Sequence, residues 1–406
     1  MSKGKRTLSR RRFLATSAAG AAAVTIVPRR VLGQGQTPPS EEFGGALIGC
    51  GGRGSSTFGC LGPGVRLLAR CDVKFKDTAD DKTIYTDYRK VLERKDIDVV
   101  AIATPPGWHA LISIAAMEAG KDVVCEKPMA RFISEGRAVA EAENRFGRVF
   151  QIEVKGGYQP DMLRKLFESG LVKNCNTVFV RRTNYKVKLW SGKVKYDPEP
   201  VPANLDWDFY CGPAPLRPYQ SHRITGSHRG YWDYEGGGLA DMGYHILHSL
   251  AYKHGRDLRP PVEITPYAPP AHPECCGMWG WCELKYADGY ILVLDSGEWG
   301  KPYDRLPPKG PNPGELLKSL SDEDRRKFDA MPDPPSLPRF PEAIRTRQKT
   351  GSNAERARHV DMIYHLANVA FRCNRPLRFD PVTEHIVGDD EADRLVNQPM
   401  RAPWRI

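Results

Sequence analysis

Residues 46–54 read Ala-Leu-Ile-Gly-Cys-Gly-Gly-Arg-Gly, an apolar run that breaks at once into a glycine-rich turn. The run suits a short buried strand, and Gly49, Gly51 and Gly54 fit the spacing G-x-G-x-x-G. In that pattern the first glycine permits a tight turn, the second lets a pyrophosphate approach the backbone, and the third lets helix and strand pack closely. Gly52 and Arg53 complete the loop, and a short helix over 55–59 would turn its N-terminus to the phosphates. Such a turn is a weak signal alone. It gains weight from the next strand, 65–71, which ends in Asp72, eighteen residues after Gly54, where an acid can accept a hydrogen bond from a ribose 2′-hydroxyl. A carboxylate there repels a 2′-phosphate, so NAD is expected over NADP; Lys74 nearby weakens that preference.

Two more strand-turn-helix units follow, which predicts an α/β fold with a parallel, doubly wound Rossmann sheet over 43–155. Residues 98–103 are a buried strand with Thr104, Pro105 and His109 in its exit loop, and a helix over 110–119 is closed by Gly120. Residues 122–125 form the next strand and run into Glu126, Lys127 and Pro128, while 148–154 make the last. Ligands gather at the carboxyl ends of such strands, so Thr104, Pro105, His109, Glu126 and Lys127 are expected around the cofactor.

After residue 155 the pattern changes. Strands are expected over 177–183, 262–267, 282–286 and 290–295, the last two joined by the hairpin signal Ala287-Asp288-Gly289. They predict an α+β domain over 156–406 whose open, mainly antiparallel sheet forms one wall of a cleft. A Pro- and Lys-rich run over 301–340 reads as a loop or insertion carrying one short helix near 313–320. The most informative stretch is HRGYWDYEGGGLADMGYHILHSLAY, residues 228–252. Helical spacing from Asp241 puts Asp241 and His245 on one face, with His248 a turn further on. Asp241, His245 and His248 on one helical face could hold a metal, or the two histidines could be a structural pair; no metal is expected. Tyr231, Trp232 and Tyr234 suit either a sugar pocket or packing.

The chain has 406 residues, enough for two domains, and a formal charge of +11. Eight cations and no acid lie before residue 34, so the remainder carries only +3 and a nucleic-acid partner is not expected. Residues 1–33 have the anatomy of a targeting segment, and Ser9-Arg10-Arg11-Arg12-Phe13-Leu14 resembles a twin-arginine signal, whose passengers cross a membrane already folded. Residues 34–42 are a linker. Export into a bacterial periplasm is therefore expected, with the twin-arginine machinery as a partner. Ten cysteines without a C-x-x-C motif indicate neither a disulfide framework nor a zinc site, and Cys50, Cys71 and Cys125 read as strand residues.

ALIGCGGRG, CDV, ATPPGWHA and VCEKPMA, in this order, resemble the landmarks of the glucose-fructose oxidoreductase and inositol dehydrogenase family, Gfo/Idh/MocA. LDWDFYCGPAP at 205–215, the Asp-x-x-x-His at 241–245 and the tail after 343 extend the likeness over almost everything beyond residue 43. The resemblance implies that Lys127 sits between nicotinamide and substrate, that Pro128 follows a cis bond, and that His245 takes the substrate proton while Asp241 orients or relays. His248 departs from it, since many relatives carry an acid there. The implied activity is NAD(P)-dependent oxidation of a sugar or sugar derivative by a homo-oligomer. An NAD-dependent glycosidase working by transient oxidation and a non-catalytic sugar or nucleotide sensor are the alternatives.

Overall fold

The computed structural model describes residues 42–154, 161–171, 177–181, 185–305 and 312–406. The expected leader at 1–33 and all but the last residue of the linker lie outside them, as do parts of the expected 177–183 strand and 301–340 insertion. From Phe43 to Ile406 the chain forms one compact unit.

Strands β1 (Phe43–Ile48), β2 (Val65–Cys71), β3 (Ile84–Tyr85), β4 (Val99–Ile102), β5 (Asp122–Glu126) and β6 (Phe150–Glu153) make a parallel sheet in the order β3-β2-β1-β4-β5-β6. Every residue of β4 and β5 is buried, which is why these strands read as unbroken apolar runs rather than alternating ones. Helices α1 (Gly54–Gly59), α2 (His109–Glu118) and α3 (Ile133–Phe146) follow β1, β4 and β5. Strand order reverses between β1 and β4, and the turns leaving them diverge to open a crevice. The glycine turn, Asp72, Thr104-Pro105 and Glu126-Lys127 all stand on that edge.

The second sheet joins β7 (Thr177–Arg181), β8 (Glu263–Tyr267), β9 (Trp281–Lys285), β10 (Ile291–Asp295), β11 (Leu377–Asp380) and β12 (His385–Ile386) in the order β12-β11-β8-β9-β10-β7. All pairs are antiparallel except β7 with β10. The expected hairpin joins β9 to β10, and Gly289 takes its left-handed corner at φ +83°. Around this sheet lie α5 (Tyr244–Lys253) and the long α6 (Ala354–Cys373), while the short α4 (Trp207–Cys211) packs against the Val73–Phe75 turn of the Rossmann half. Asn353 caps α6 by accepting from the Arg356 N–H at 3.1 Å, and Asn374 ends it in the left-handed region. α6 packs on α3 as well as on β8, so it ties the two sheets together. At Gly136 the helices come so close that an added Cβ would lie 3.1 Å from the Arg358 Cβ.

Two expectations need correction. The described residues of the 301–340 run carry two short helices, Pro313–Lys318 and Asp322–Ala330; the second is capped by Ser321 and has three acids in its first turn. Asp241 does not begin a regular α-helix: Leu239–Gly243 is a π-turn, and α5 starts at Tyr244.

Candidate functional site

A cavity of about 680 Å³ opens along the crevice, with walls from both halves of the chain. Gly49, Gly51, Gly52 and Arg53 line one end. Gly49 has φ +90°, and a Cβ there would lie 2.5 Å from the Ala103 carbonyl carbon. Gly51 and Gly52 have nothing within 4 Å of a hypothetical Cβ, leaving bare backbone for a phosphate to approach. Gly54 lies beneath the loop, where a Cβ would meet the Gly49 carbonyl oxygen at 2.7 Å; it serves helix packing. Asp72 lines the same cavity and is fixed by two backbone N–H groups, Cys50 at 2.8 Å and Lys74 at 3.0 Å. Open amides and a held carboxylate at the crossover of a parallel sheet fit a dinucleotide.

Glu126 anchors the middle of the site. Its carboxylate accepts from Arg53 Nε at 2.9 Å, from the Thr57 hydroxyl at 3.0 Å and from the Lys127 N–H at 3.2 Å. The loop after it is held from behind: the Ala130 N–H donates to Asp361 at 3.0 Å, and Tyr364 on α6 donates to the Ala130 carbonyl at 2.9 Å. The Lys127–Pro128 peptide bond is cis, as the resemblance implies. Lys127 reaches across to the π-turn, where its Nζ donates to the Asp241 backbone carbonyl at 2.9 Å and to the Asp241 carboxylate. Arg229 Nε approaches the same carboxylate oxygen at 3.0 Å. Burial alone would raise the Asp241 carboxyl, but Lys127 and Arg229 outweigh it and hold its pKa down at about 2.

His245 lines the cavity beside Lys127 and Asp241. Burial first, and then the Lys127 charge, hold its imidazole below the ordinary value, so it is neutral at pH 7. Its Nδ1 is buried without a hydrogen-bond partner among the described residues. Asp241 turns to Lys127 and Arg229 rather than to His245, which corrects the expected relay. The chain passes from π-turn to α-helix between the two residues, so the four-residue spacing does not stack them as a regular helix would.

Thr104 and Pro105 line the cavity as expected; His109 does not. Its ring is completely buried, with Nδ1 2.7 Å from the Pro128 carbonyl and Nε2 2.8 Å from the Thr104 carbonyl, so it joins two site loops from behind. His248 lies deeper on α5 and is pushed down to about 3 by burial. No set of three metal-binding side chains occurs among the described residues. Tyr231 and Tyr234 pack in an aromatic cluster with Trp207 and Tyr210, and Trp232 lies outside the cavity wall. Sequence reasoning missed Arg229, Phe209 and Tyr210 as lining residues. Phe209 and Tyr210 lie in a stretch carried by the resemblance and Arg229 in the informative 228–252 run, but no spacing marks them individually.

Residues 157–406 match the model described as "Oxidoreductase family, C-terminal alpha/beta domain", and residues 69–154 match "Oxidoreductase family, NAD-binding Rossmann fold". The chain is 51% identical to levoglucosan dehydrogenase of Pseudarthrobacter phenanthrenivorans over 57 residues, 14% of this chain and 15% of that protein. It is 32% identical to inositol 2-dehydrogenase of Salmonella typhimurium over 134 residues, 30% and 39% of the two chains. A glycosyl hydrolase family 109 protein of Shewanella putrefaciens is 36% identical over 116 residues, 24% and 25%. These matches span well under half of each relative. Among solved structures, the WlbA dehydrogenase of Bordetella pertussis in complex with NADH and UDP-GlcNAcA superposes with a TM-score of 0.52 at 16% identity, covering 84% of this chain and 99% of that one. That likeness is one of fold.

Proposed function

The chain belongs to the Gfo/Idh/MocA oxidoreductase family, and we propose accordingly that it moves a hydride between a secondary alcohol of a sugar or sugar derivative and a tightly held NAD. The observation that carries this reading is the meeting of Lys127, Asp241 and His245 in the cavity that also holds the glycine turn and Asp72. Gly49, Gly51, Gly52 and Arg53 would receive the pyrophosphate, and Asp72 a ribose. When bound, the nicotinamide supplies the acceptor for the hydride.

The chain supplies the rest. Neutral His245 takes the proton from the reacting hydroxyl, a task matched to an imidazole below its ordinary pKa. Lys127 donates a hydrogen bond to the same oxygen and stabilises the charge that develops there. Asp241 holds the Lys127 amine in place through its carbonyl and carboxylate together. Local similarity to inositol 2-dehydrogenase and levoglucosan dehydrogenase supports an alcohol as the substrate.

The proposal extends to the leader. A twin-arginine route would carry the folded protein out with its dinucleotide inside, and a cofactor that cannot exchange must return its hydride, to a second sugar or to the same one. Similarity to the family 109 glycosyl hydrolase favours the latter as a second reading. Transient oxidation would acidify a neighbouring C–H, the glycosidic group would leave by elimination, water would add across the resulting double bond, and the ketone would be reduced again. The test is to purify the protein, assay the denatured supernatant for NAD, and follow nicotinamide absorbance with a panel of sugars and glycosides. A keto-sugar accumulating with an added acceptor supports the first reading, and release of nitrophenol from a nitrophenyl glycoside the second. A loaded protein inert to the whole panel removes both.

A further inference from the structure

We infer that the second half of the chain builds a clasp over the Asp72 end of the cavity, and that Phe209 and Tyr210 retain the adenosine portion of the dinucleotide there. The inference rests on the reading of this cavity as a dinucleotide site. The strap begins at Asp206, whose N–H donates to the Val73 carbonyl at 3.1 Å, one residue beyond Asp72. Asp206 also caps α4 by accepting from the Phe209 N–H at 2.9 Å. Phe209 and Tyr210 then wall the cavity together with Asp72, Lys74 and Tyr88. Neither the glycine turn nor the Lys127, Asp241 and His245 group depends on this wall.

The strap is fastened by contacts with both the Rossmann half and the C-terminal segment. The Trp108 indole N–H donates to the Tyr210 carbonyl at 3.0 Å, and its ring stacks on Phe209 with centroids 5.2 Å apart. Trp404 meets Trp108 edge-on at 4.7 Å and Phe209 at 5.5 Å, with the Arg89 guanidinium over both Phe209 and Trp404. Arg401 stitches the strap to the 401–404 segment: its Nε donates to the Gly212 carbonyl at 3.0 Å, its side chain also to the Asp208 carbonyl at 2.9 Å, and its backbone N–H to the Pro213 carbonyl at 2.9 Å. Segments distant in sequence thus hold one short helix against the Rossmann half. A ligand seated against Asp72 leaves only when α4 swings away, and that motion breaks the Trp108, Phe209 and Trp404 cluster. Retention is therefore a property of the clasp and separable from the chemistry at Lys127.

The experiment loads the full-length protein with NADH, adds a large excess of NAD⁺ and follows the loss of bound NADH fluorescence. Phe209→Ala and Trp404→Ala should each release NADH tenfold or more faster, and Trp404→Phe should stay within about twofold of the unaltered protein. Thermal melting of each NAD-free variant checks that it folds; if Trp404→Ala does not, Arg401→Gln replaces it with the same expectation. Release unchanged in the alanine variants overturns the clasp and leaves the hydride-transfer reading standing. An unaltered protein that binds no NADH overturns both.

Discussion

Lys127 and Arg229 converge on one oxygen of Asp241, so a single buried carboxylate carries two cations and has little freedom to turn elsewhere. Removing the amine tests this arrangement directly. Lys127→Met should cut kcat by roughly 10² to 10⁴, the range associated with a positioned proton-transfer group, while NAD affinity measured by titration stays within a few-fold. An active Met variant would refute the role. His245 makes a second prediction. Because burial and Lys127 depress its imidazole, log kcat/KM should fall on the acid side with a midpoint below 6.5, and His245→Gln should abolish that limb along with most of the rate. A limb centred above 6.5 would contradict the assignment. The glycines and Asp72 are legible from sequence because each answers a backbone or charge requirement at a fixed distance from a strand end. Arg229 is not, because its tie to Asp241 spans twelve residues with a glycine turn between them, and only folding closes that distance.

Apolar spacing identifies an element more readily than its hydrogen-bond pattern. The periodicity after Asp241 correctly marks α5, but a π-turn leaves the same residues apolar and is invisible to it. Its effect is visible in the site, where the Asp241 carbonyl accepts from Lys127. The turn is also pressed from below. Gly238 has no positive φ, yet an added Cβ would lie 2.1 Å from the Tyr185 carbonyl oxygen, backbone against backbone. Gly238→Ala should therefore cost about 1–3 kcal/mol in a urea titration through overpacking, and it should lower kcat by displacing Asp241. An alanine variant with unchanged midpoint and rate would show that the π-turn tolerates movement. The helix at Asp322–Ala330 escaped notice for a different reason: it buries only Phe328 and rests on its Ser321 cap and acidic first turn. Capping signals without an apolar stripe are easily read as loop.

Across the whole molecule, the alternation of strands and helices was enough to anticipate a parallel sheet followed by a mixed domain. The joining of the two through α6 was not, because a helix buried around most of its circumference shows no directional stripe. That burial has a consequence for pH. His109, His245 and His359 are held below their ordinary value chiefly by desolvation, as are His248 and His365 at about 3 and His254 at about 4. In the unfolded chain all would titrate near 6.5, so as the pH falls below that value the unfolded state binds more protons and folding loses stability. Buried Glu143, raised to about 7, and Asp361, also raised, act in the opposite sense, since their neutral forms favour the folded state as acidity increases. With His222 also held down chiefly by desolvation, seven histidines against two carboxyls leave the balance with the histidines as the pH falls below about 6.5, at about 1.4 kcal/mol per pH unit for each unmatched proton. The urea midpoint should accordingly drop steeply from pH 7 to pH 5, well before Asp241, at about 2, begins to protonate. A midpoint that holds level or rises over that interval would mean that the buried imidazoles gain protons without unfolding the chain.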